Sequence, residues 1–253
     1  EMIKDSYNKK TQLQNPYHEM AMDLLHEYLT IGGLPEALEI FIQEKSYIDA
    51  IKVVKEVYEN YLGDMAYYNV SNETILKTRN LYKNIFSQLN KDNKNFKVTA
   101  IEKGKSNRDY FNAYQWLELS HIIYRSKNIT GKVSVPIIEK TEGLFRLYLS
   151  DPGIFTYQSK VNQADFFVRE KRNTLSGVFY ENYVACEFVR NEIPLFYWTG
   201  KASHEFEFVV YSNENLYPID AKKNKGNLNS LAEFRQFNPK TTGIKISSNN
   251  FGY

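Results

Sequence analysis

The spacing of apolar positions changes along the chain, and each change marks a different kind of element. From His18 onward, Met20, Met22, Leu24, Leu25 and Leu29 recur at the three- and four-residue spacing of a helix face. Gly32-Gly33 ends that pattern. Pro35 then opens a second helix through Phe41, because proline fits a first turn where its missing N–H costs nothing. A longer helix is predicted over residues 47–67, with Ile48, Ile51, Val54, Tyr58, Tyr61, Leu62 and Met65 in register. Residues 5–15 are polar, carry neither the helix nor the strand period, and read as a lead-in from something upstream.

Further on, helical spacing is predicted over residues 74–89, briefly over 99–102, and again from Ser106. There Asp109 completes a capping-box pattern and Tyr110, Ala113, Tyr114 and Leu117 share a face. Residues 121–125 and 144–149 read as strands around a glycine-containing loop. Helix, short helix, helix and a two-stranded wing is the order of a winged helix, whose third helix would be the reading element. In the last hundred residues, 175–191 and 229–237 read as helices and 195–198, 204–211, 216–222 and 243–247 as strands. The expected fold class is therefore mixed α/β, in three parts: a helical linker over 1–70, a winged helix over 71–150 and an α/β domain over 151–253.

Strand alternation brings out candidate chemistry. In residues 204–211, Glu205 and Glu207 share one face and Phe206 and Phe208 the other; in 216–222, Asp220 and Lys222 share a face opposite Ile219 and Ala221. A short turn between these strands makes them antiparallel neighbours, so Glu207 and Asp220 are candidates to hold a Mg²⁺ ion together. Lys222 beside them would orient a water or steady charge on a phosphate oxygen, and Glu181 on the preceding helix would be an outer ligand.

Composition narrows the partners. Hydrophobic residues make up 42%, aromatics 15%, and Gly and Pro number 12 and 7, which excludes disorder and collagen-like sequence. A lone Cys186 cannot form an internal disulfide. No apolar stretch reaches membrane-spanning length and no signal-peptide pattern opens the chain, so a cytoplasmic protein without membrane association is expected. The net charge of +2 is uneven: residues 1–76 carry 6 Lys/Arg against 13 Asp/Glu, residues 77–132 carry 12 against 4, and the remainder 14 against 13. The basic middle coincides with the winged-helix pattern, where Lys97, Lys103, Lys105, Arg108, Arg125 and Lys127 would line a DNA backbone. Base readout would fall to Asn107, Arg108 or Asn112. Lys103, Lys105, Asn107 and Arg108 are thus the candidate nucleic-acid residues. The same features also suit a winged helix that docks a protein.

Glu207, then Asp220-Ala-Lys222, with Glu181 on an upstream helix, resembles the PD-(D/E)xK nuclease superfamily. The chain as a whole resembles the C-terminal half of a bacterial and archaeal family of AAA-type P-loop ATPases, in which a domain of unknown function follows the ATPase module. The phrases that carry the likeness are Tyr28-Leu-Thr-Ile-Gly-Gly-Leu-Pro-Glu36, Tyr61-Leu-Gly-Asp-Met65, the Asp151-Pro-Gly153 run, Gly177-Val-Phe-Tyr-Glu-Asn-Tyr-Val184, Tyr197-Trp198, Glu205-Phe-Glu-Phe-Val209, Pro218-Ile-Asp-Ala-Lys222 and Ser230-Leu231. The resemblance implies a winged helix followed by a restriction-endonuclease-like domain, with catalytic residues Glu181, Glu207, Asp220 and Lys222 and a Mg²⁺ cofactor. It also implies a partner in the chain's own N-terminal ATPase module. No Gly-x-x-x-x-Gly-Lys-Ser/Thr occurs, so ATP is expected only in that upstream half.

Two functions follow from this likeness. One is a DNA-associated C-terminal region with a Mg²⁺-dependent phosphodiesterase site. The other is a non-catalytic docking or regulatory module that keeps the nuclease fold as a scaffold for protein or DNA. The complete acidic-acidic-Lys set favours the first. The second is favoured by an exchange, since the family usually has Asp where this chain has Glu207 and Glu where it has Asp220.

Overall fold

Caps and glycines set the boundaries of the helical half. The structure, a computed structural model, describes residues 1–68, 71–139, 143–166, 177–201, 204–221 and 229–252. Helices α1 (Met2–Lys9), α2 (Asn15–Ile31), α3 (Pro35–Glu44) and α4 (Tyr47–Tyr68) come first. Of these, α1 corrects the expectation of an unstructured lead-in. It buries no residue and ends on Lys10 at φ +53°. The segment after it is tied down at Leu13, whose N–H and carbonyl pair with the Asn250 side chain at 3.0 and 2.7 Å.

The middle segment places helices and 3₁₀ turns ahead of a pair of strands. α5 (Asn72–Lys83), capped by the Ser71 hydroxyl, breaks at Asn84 into α6 (Ile85–Leu89). The expected short helix is a single 3₁₀ turn, Val98–Ala100. A second 3₁₀ turn, Arg108–Tyr110, leads into α7 (Phe111–Leu119). Strands β1 (Ile123–Thr130) and β2 (Phe145–Leu149) pair antiparallel. A helix absent from the sequence reading follows, α8 (Pro152–Ser159), capped by Asp151.

The remaining elements are α9 (Val178–Arg190), β3 (Phe196–Thr199), β4 (Glu205–Phe206), β5 (Phe208–Ser212), β6 (Asn215–Ala221), α10 (Asn229–Phe237) and β7 (Ile244–Ile246). One sheet has the order β2-β1-β3-β4 and the other β5-β6-β7. Strand β3 runs parallel to β1, from Lys127↔Phe196 to Thr130↔Thr199, so the sheet crosses the expected boundary at residue 150. The main core crosses it too, joining Leu29, Val54, Tyr82, Tyr114, Phe155, Phe179 and Ile219. A smaller core holds Ile129, Val133, Trp198, Phe206, Val209, Leu216 and Phe234. The fold is mixed α/β, and no helix among the described residues is long and apolar enough to cross a membrane.

The β5–β6 hairpin turns on Asn213 and Glu214 at φ +48° and +60°, the geometry that matches strand twist in a two-residue loop. The strand expected over 204–211 is a correction: it breaks at Glu207. Phe206 therefore packs in the smaller core and Phe208 in the larger one, instead of both lying on one face.

The Gly-Gly-Leu-Pro and Asp-Pro-Gly phrases meet in space. Gly33 N–H donates to Asp151 Oδ2 at 2.7 Å, while Ile154 N–H donates to Asp151 Oδ1 at 2.9 Å. A Cβ on Gly153 would come within 2.6 Å of Gly32 N and Ile31 C, which are backbone atoms that cannot turn aside. Gly153→Ala should therefore cost about 2–3 kcal/mol in urea denaturation. Gly63→Ala is the control. Its Cβ meets nothing within 4 Å on the exposed side of α4, so a gain of about 0.5–1 kcal/mol is expected. Equal stabilities for the two variants would sink this account of the junction.

Candidate functional site: a buried ionic network

Two of the four expected nuclease residues, Glu181 and Glu207, lie in a buried cluster that includes side chains from far upstream. Glu181 faces inward from the first turn of α9, beside Asn182. The Asn182 amide exchanges hydrogen bonds with Leu149 N and O at 2.9 and 3.1 Å and so registers α9 against β2. That docking presents Glu181 Oε1 to the Tyr148 hydroxyl, which donates at 2.8 Å. Lys94, in the loop before the first 3₁₀ turn, places Nζ 2.5 Å from Glu181 Oε2 and 3.5 Å from Glu207 Oε1. Arg146 on β2 reaches Glu205 Oε2 at 2.5 Å and Glu181 Oε1 at 3.5 Å, with its guanidinium 4.3 Å from the centroid of the Tyr197 ring. Tyr197 in turn donates to Asn95 Oδ1 at 2.7 Å.

Burial decides what this cluster can do. Glu181 and Glu207 side chains are 1% and 0% exposed, Arg146 2% and Lys94 19%. Burial alone would push the Glu181 carboxyl up, but the charges of Lys94 and Arg146 and two hydrogen bonds outweigh it and hold Glu181 below the usual carboxylate range. Lys94 has the converse balance: burial opposes its charge, and Glu181 and Glu207 more than restore it, raising its pKa. The chain's own cations thus sit against these carboxylates: Lys94 against Glu181 and Glu207, and Arg146 against Glu181 and Glu205.

The two halves of the nuclease expectation fare differently. The sequence pairs Glu207 with Asp220 about a divalent ion; in the structure the cation at Glu207 is the Lys94 ammonium, shared with Glu181. Glu207 stands where the strand leaves one sheet for the other, and its Oε2 accepts the Ala221 N–H at 3.2 Å. Asp220 is half-buried on β6, on the sheet face opposite Ile219 and Ala221, and pairs in register with Lys245. Lys222 lies outside the described residues. Mg²⁺ demands octahedral oxygens at about 2.0–2.1 Å and keeps several waters. The site does not fit that demand, because the position between Glu181 and Glu207 holds an ammonium and water has no access to either carboxylate. Among the described residues no three His, Cys, Asp or Glu side chains are grouped to hold a metal.

Lys94, Arg146, Tyr148 and Glu205 are members of the cluster that the sequence reading did not assign to it. Arg146 left a signal, being a lone cation in an otherwise apolar strand, Phe145–Leu149, whose every residue is buried. Lys94 left none, since it sits in a run of lysines and asparagines that reads as solvated surface. Cys186 is a core thiol that donates to Leu149 O at 3.2 Å, and burial pushes its pKa up.

The nucleic-acid candidates lie apart from this cluster, around the start of α7. Lys103 and Arg108 are exposed, and Lys105 and Asn107 half-buried. Asn107 is engaged: its amide donates to Gly143 O at 2.9 Å and its Oδ1 accepts from the Tyr114 hydroxyl at 3.3 Å, fastening the start of α7 to the end of the wing loop. Arg125 pairs with Glu118 and lies 5.2 Å and 5.0 Å from the centroids of Tyr114 and Phe145, while Lys127 pairs with Glu139 at 3.4 Å.

Residues 22–165 match the model of a domain of unknown function (DUF8612), more than half of the chain's 253 residues. The chain belongs to that family. Residues 176–251 match a second domain of unknown function (DUF4143). No curated protein and no solved structure matches the chain. The ionic network spans both matches: Lys94, Arg146 and Tyr148 come from the DUF8612 segment, and Glu181, Glu205 and Glu207 from the DUF4143 segment.

Removing one partner of a buried pair leaves an uncompensated charge and costs about 3–5 kcal/mol. Lys94→Met should lose stability of that order at pH 7 in urea denaturation. The sign of the pH dependence follows from the shifts. Glu181 is lowered on folding, so its contribution is present above about pH 4 and is lost as pH falls through the lowered value. Lys94 is raised, so its contribution is present below about pH 10 and is lost as pH rises beyond. The gap between wild type and Lys94→Met should accordingly narrow toward pH 3. A gap that stays constant, or no gap at pH 7, would remove the network from its structural role.

Proposed function

We propose that this chain is the C-terminal, DNA-docking region of an AAA-type ATPase, with its nuclease-like domain kept as a non-catalytic scaffold. The ATPase module rests on the sequence resemblance, and ATP belongs to that upstream half. The scaffold role rests on one observation above all, the Lys94 ammonium lodged between Glu181 and Glu207. A phosphodiesterase must expose its carboxylates to a metal, a water and a phosphate. Here both carboxylates are buried and their charge is spent on holding elements together. The DNA role is supported by the exposed basic residues Lys103 and Arg108 at the entrance of α7, beside half-buried Lys105, in a winged-helix arrangement.

In this reading the module holds duplex while the upstream ATPase acts on it or on an associated protein. Lys103 and Lys105 neutralise phosphates, so affinity falls steeply with salt. Calorimetric titration of Mg²⁺ and Mn²⁺ with a plasmid-nicking assay should give no binding and no cleavage, for the wild type and for Glu207→Gln alike. A labelled random-sequence duplex should bind in a salt-dependent way, and Lys103→Ala/Lys105→Ala should reduce the slope of log K against log salt by about 2. Nicking that disappears in Glu207→Gln would overturn the scaffold reading. Duplex binding indifferent to the lysine pair, or absent, would overturn the DNA reading.

A further inference from the structure

Strand β5 has one open side. It lies at the edge of its sheet, with β6 on the other flank, and its register with β6 decides which backbone groups face outward. Leu216 donates its N–H to Lys240 O at 3.3 Å and accepts the Thr242 N–H at 3.0 Å, away from β5. Pro218, two residues on, has no N–H to give to β5. The pairs Tyr211↔Leu216 and Val209↔Pro218 are therefore the non-hydrogen-bonded ones of the ladder. The N–H and C=O of both Val209 and Tyr211 point out of the sheet's edge. They recur about 6.8 Å apart, at 3.4 Å per residue, which is the repeat of an extended chain.

That edge borders a cavity of about 530 Å³ lined by four consecutive residues, 209–212. Strand side chains alternate faces, so a cavity that touches all four runs along the edge itself. Its far wall is Pro136, Ile137, Ile193, Pro194 and Phe196. The opening exists because β4 pairs with β3 only at Trp198 and Thr199; past Glu207 the chain leaves that sheet, and β5 joins the other. Glu192 is the single charge among the described residues that line it. Glu192 is exposed, and among the described residues no cation pairs with it, since Arg190 is engaged by Glu187 and Tyr28.

We propose that this edge takes a strand from a partner protein: an extended peptide, apolar at alternate positions, that pairs with Val209 and Tyr211 and sets a Lys or Arg against Glu192. A small apolar ligand would cover the outward N–H and C=O groups without pairing them, at a desolvation cost that a peptide backbone avoids. Backbone pairing supplies affinity in such strand addition, and the apolar wall selects alternate side chains. A second copy of this chain, meeting the edge symmetrically, would bring another Glu192 to the same cleft, where the like charge opposes it. None of these residues takes part in the proposed DNA docking.

The probes are blocked heptapeptides alternating Val with Thr, with Lys placed at each position in turn, titrated into the isotope-labelled 253-residue chain and followed by NMR. The amide resonances of Val209 and Tyr211 should shift saturably. Replacing the Lys of the best peptide by Glu, or N-methylating its alternate amides, should weaken it about tenfold. Tyr211→Pro deletes one outward N–H that makes no bond to β6, so the hairpin keeps its ladder; the loss should again be about tenfold, with folding checked by circular dichroism melting. Glu192→Lys should reverse the preference, so that the Glu peptide binds better than the Lys peptide. Three results overturn the proposal: no saturable shift at Val209 and Tyr211 with any peptide, binding indifferent to N-methylation and to the charge reversal, or shifts that follow protein concentration alone. The last would assign the edge to a second copy of the chain.

Discussion

The ammonium of Lys94 between the carboxylates of Glu181 and Glu207 is the contact on which the rest of the arrangement depends. Two carboxylates brought together out of water repel each other, and each loses its hydration. A cation close to both offsets that cost. Lys94 supplies it for both, and Arg146 supplies a second positive charge to Glu181 and Glu205. The loop that carries Lys94, the second strand, helix α9 and the break between β4 and β5 are thereby fixed to one another by charge as well as by apolar packing. Such a network gives specificity more than net stability, because a well-packed apolar replacement would do as well energetically. The register of α9 against β2 is set beside it, by the Asn182 amide on Leu149.

The same constraint explains why the strand carrying Glu207 changes sheet there. A continuous strand over 204–211 would put Glu205 and Glu207 on one face and both phenylalanines on the other. Instead, Glu207 takes the Ala221 N–H with its own side chain, releasing the backbone to cross from β4 to β5. Phe206 then fills the smaller core against Trp198 and Phe234, and Phe208 the larger one against Tyr148 and Phe188. One charged residue thus serves both the ionic network and the division of the core.

Helices with a wide apolar stripe were legible in the sequence. α2, α3, α4 and α9 lie close to where the period places them, and the β5–β6 hairpin follows its turn residues. Elements without such a stripe were not: α1 buries nothing, and α8 rests on two short phrases whose meaning lies in their mutual contact. The candidate site was half legible. Glu207 could be picked out by strand alternation, and Glu181 by its place on the preceding helix and the likeness to nuclease sites. Their counter-ion could not, since Lys94 is 87 residues from Glu181 and 113 from Glu207 in the chain and sits among other lysines. Spacing patterns report local geometry, and a cation delivered from another element has no spacing to report.

That delivery also ties the two ends of the proposed activity together. Lys94 leads directly into the turn before Phe96, whose N–H donates to Phe145 O, and Phe145 begins the strand that carries Arg146 and Tyr148. Arg125, across from β2 on β1, holds Glu118 of α7, and Asn107 ties the start of α7 to Gly143 just before β2. The outward face of α7 is therefore held through β2 to the ionic network, and through the network to α9. Neither family segment is electrically complete without the other, because the cations come from one and the carboxylates from the other.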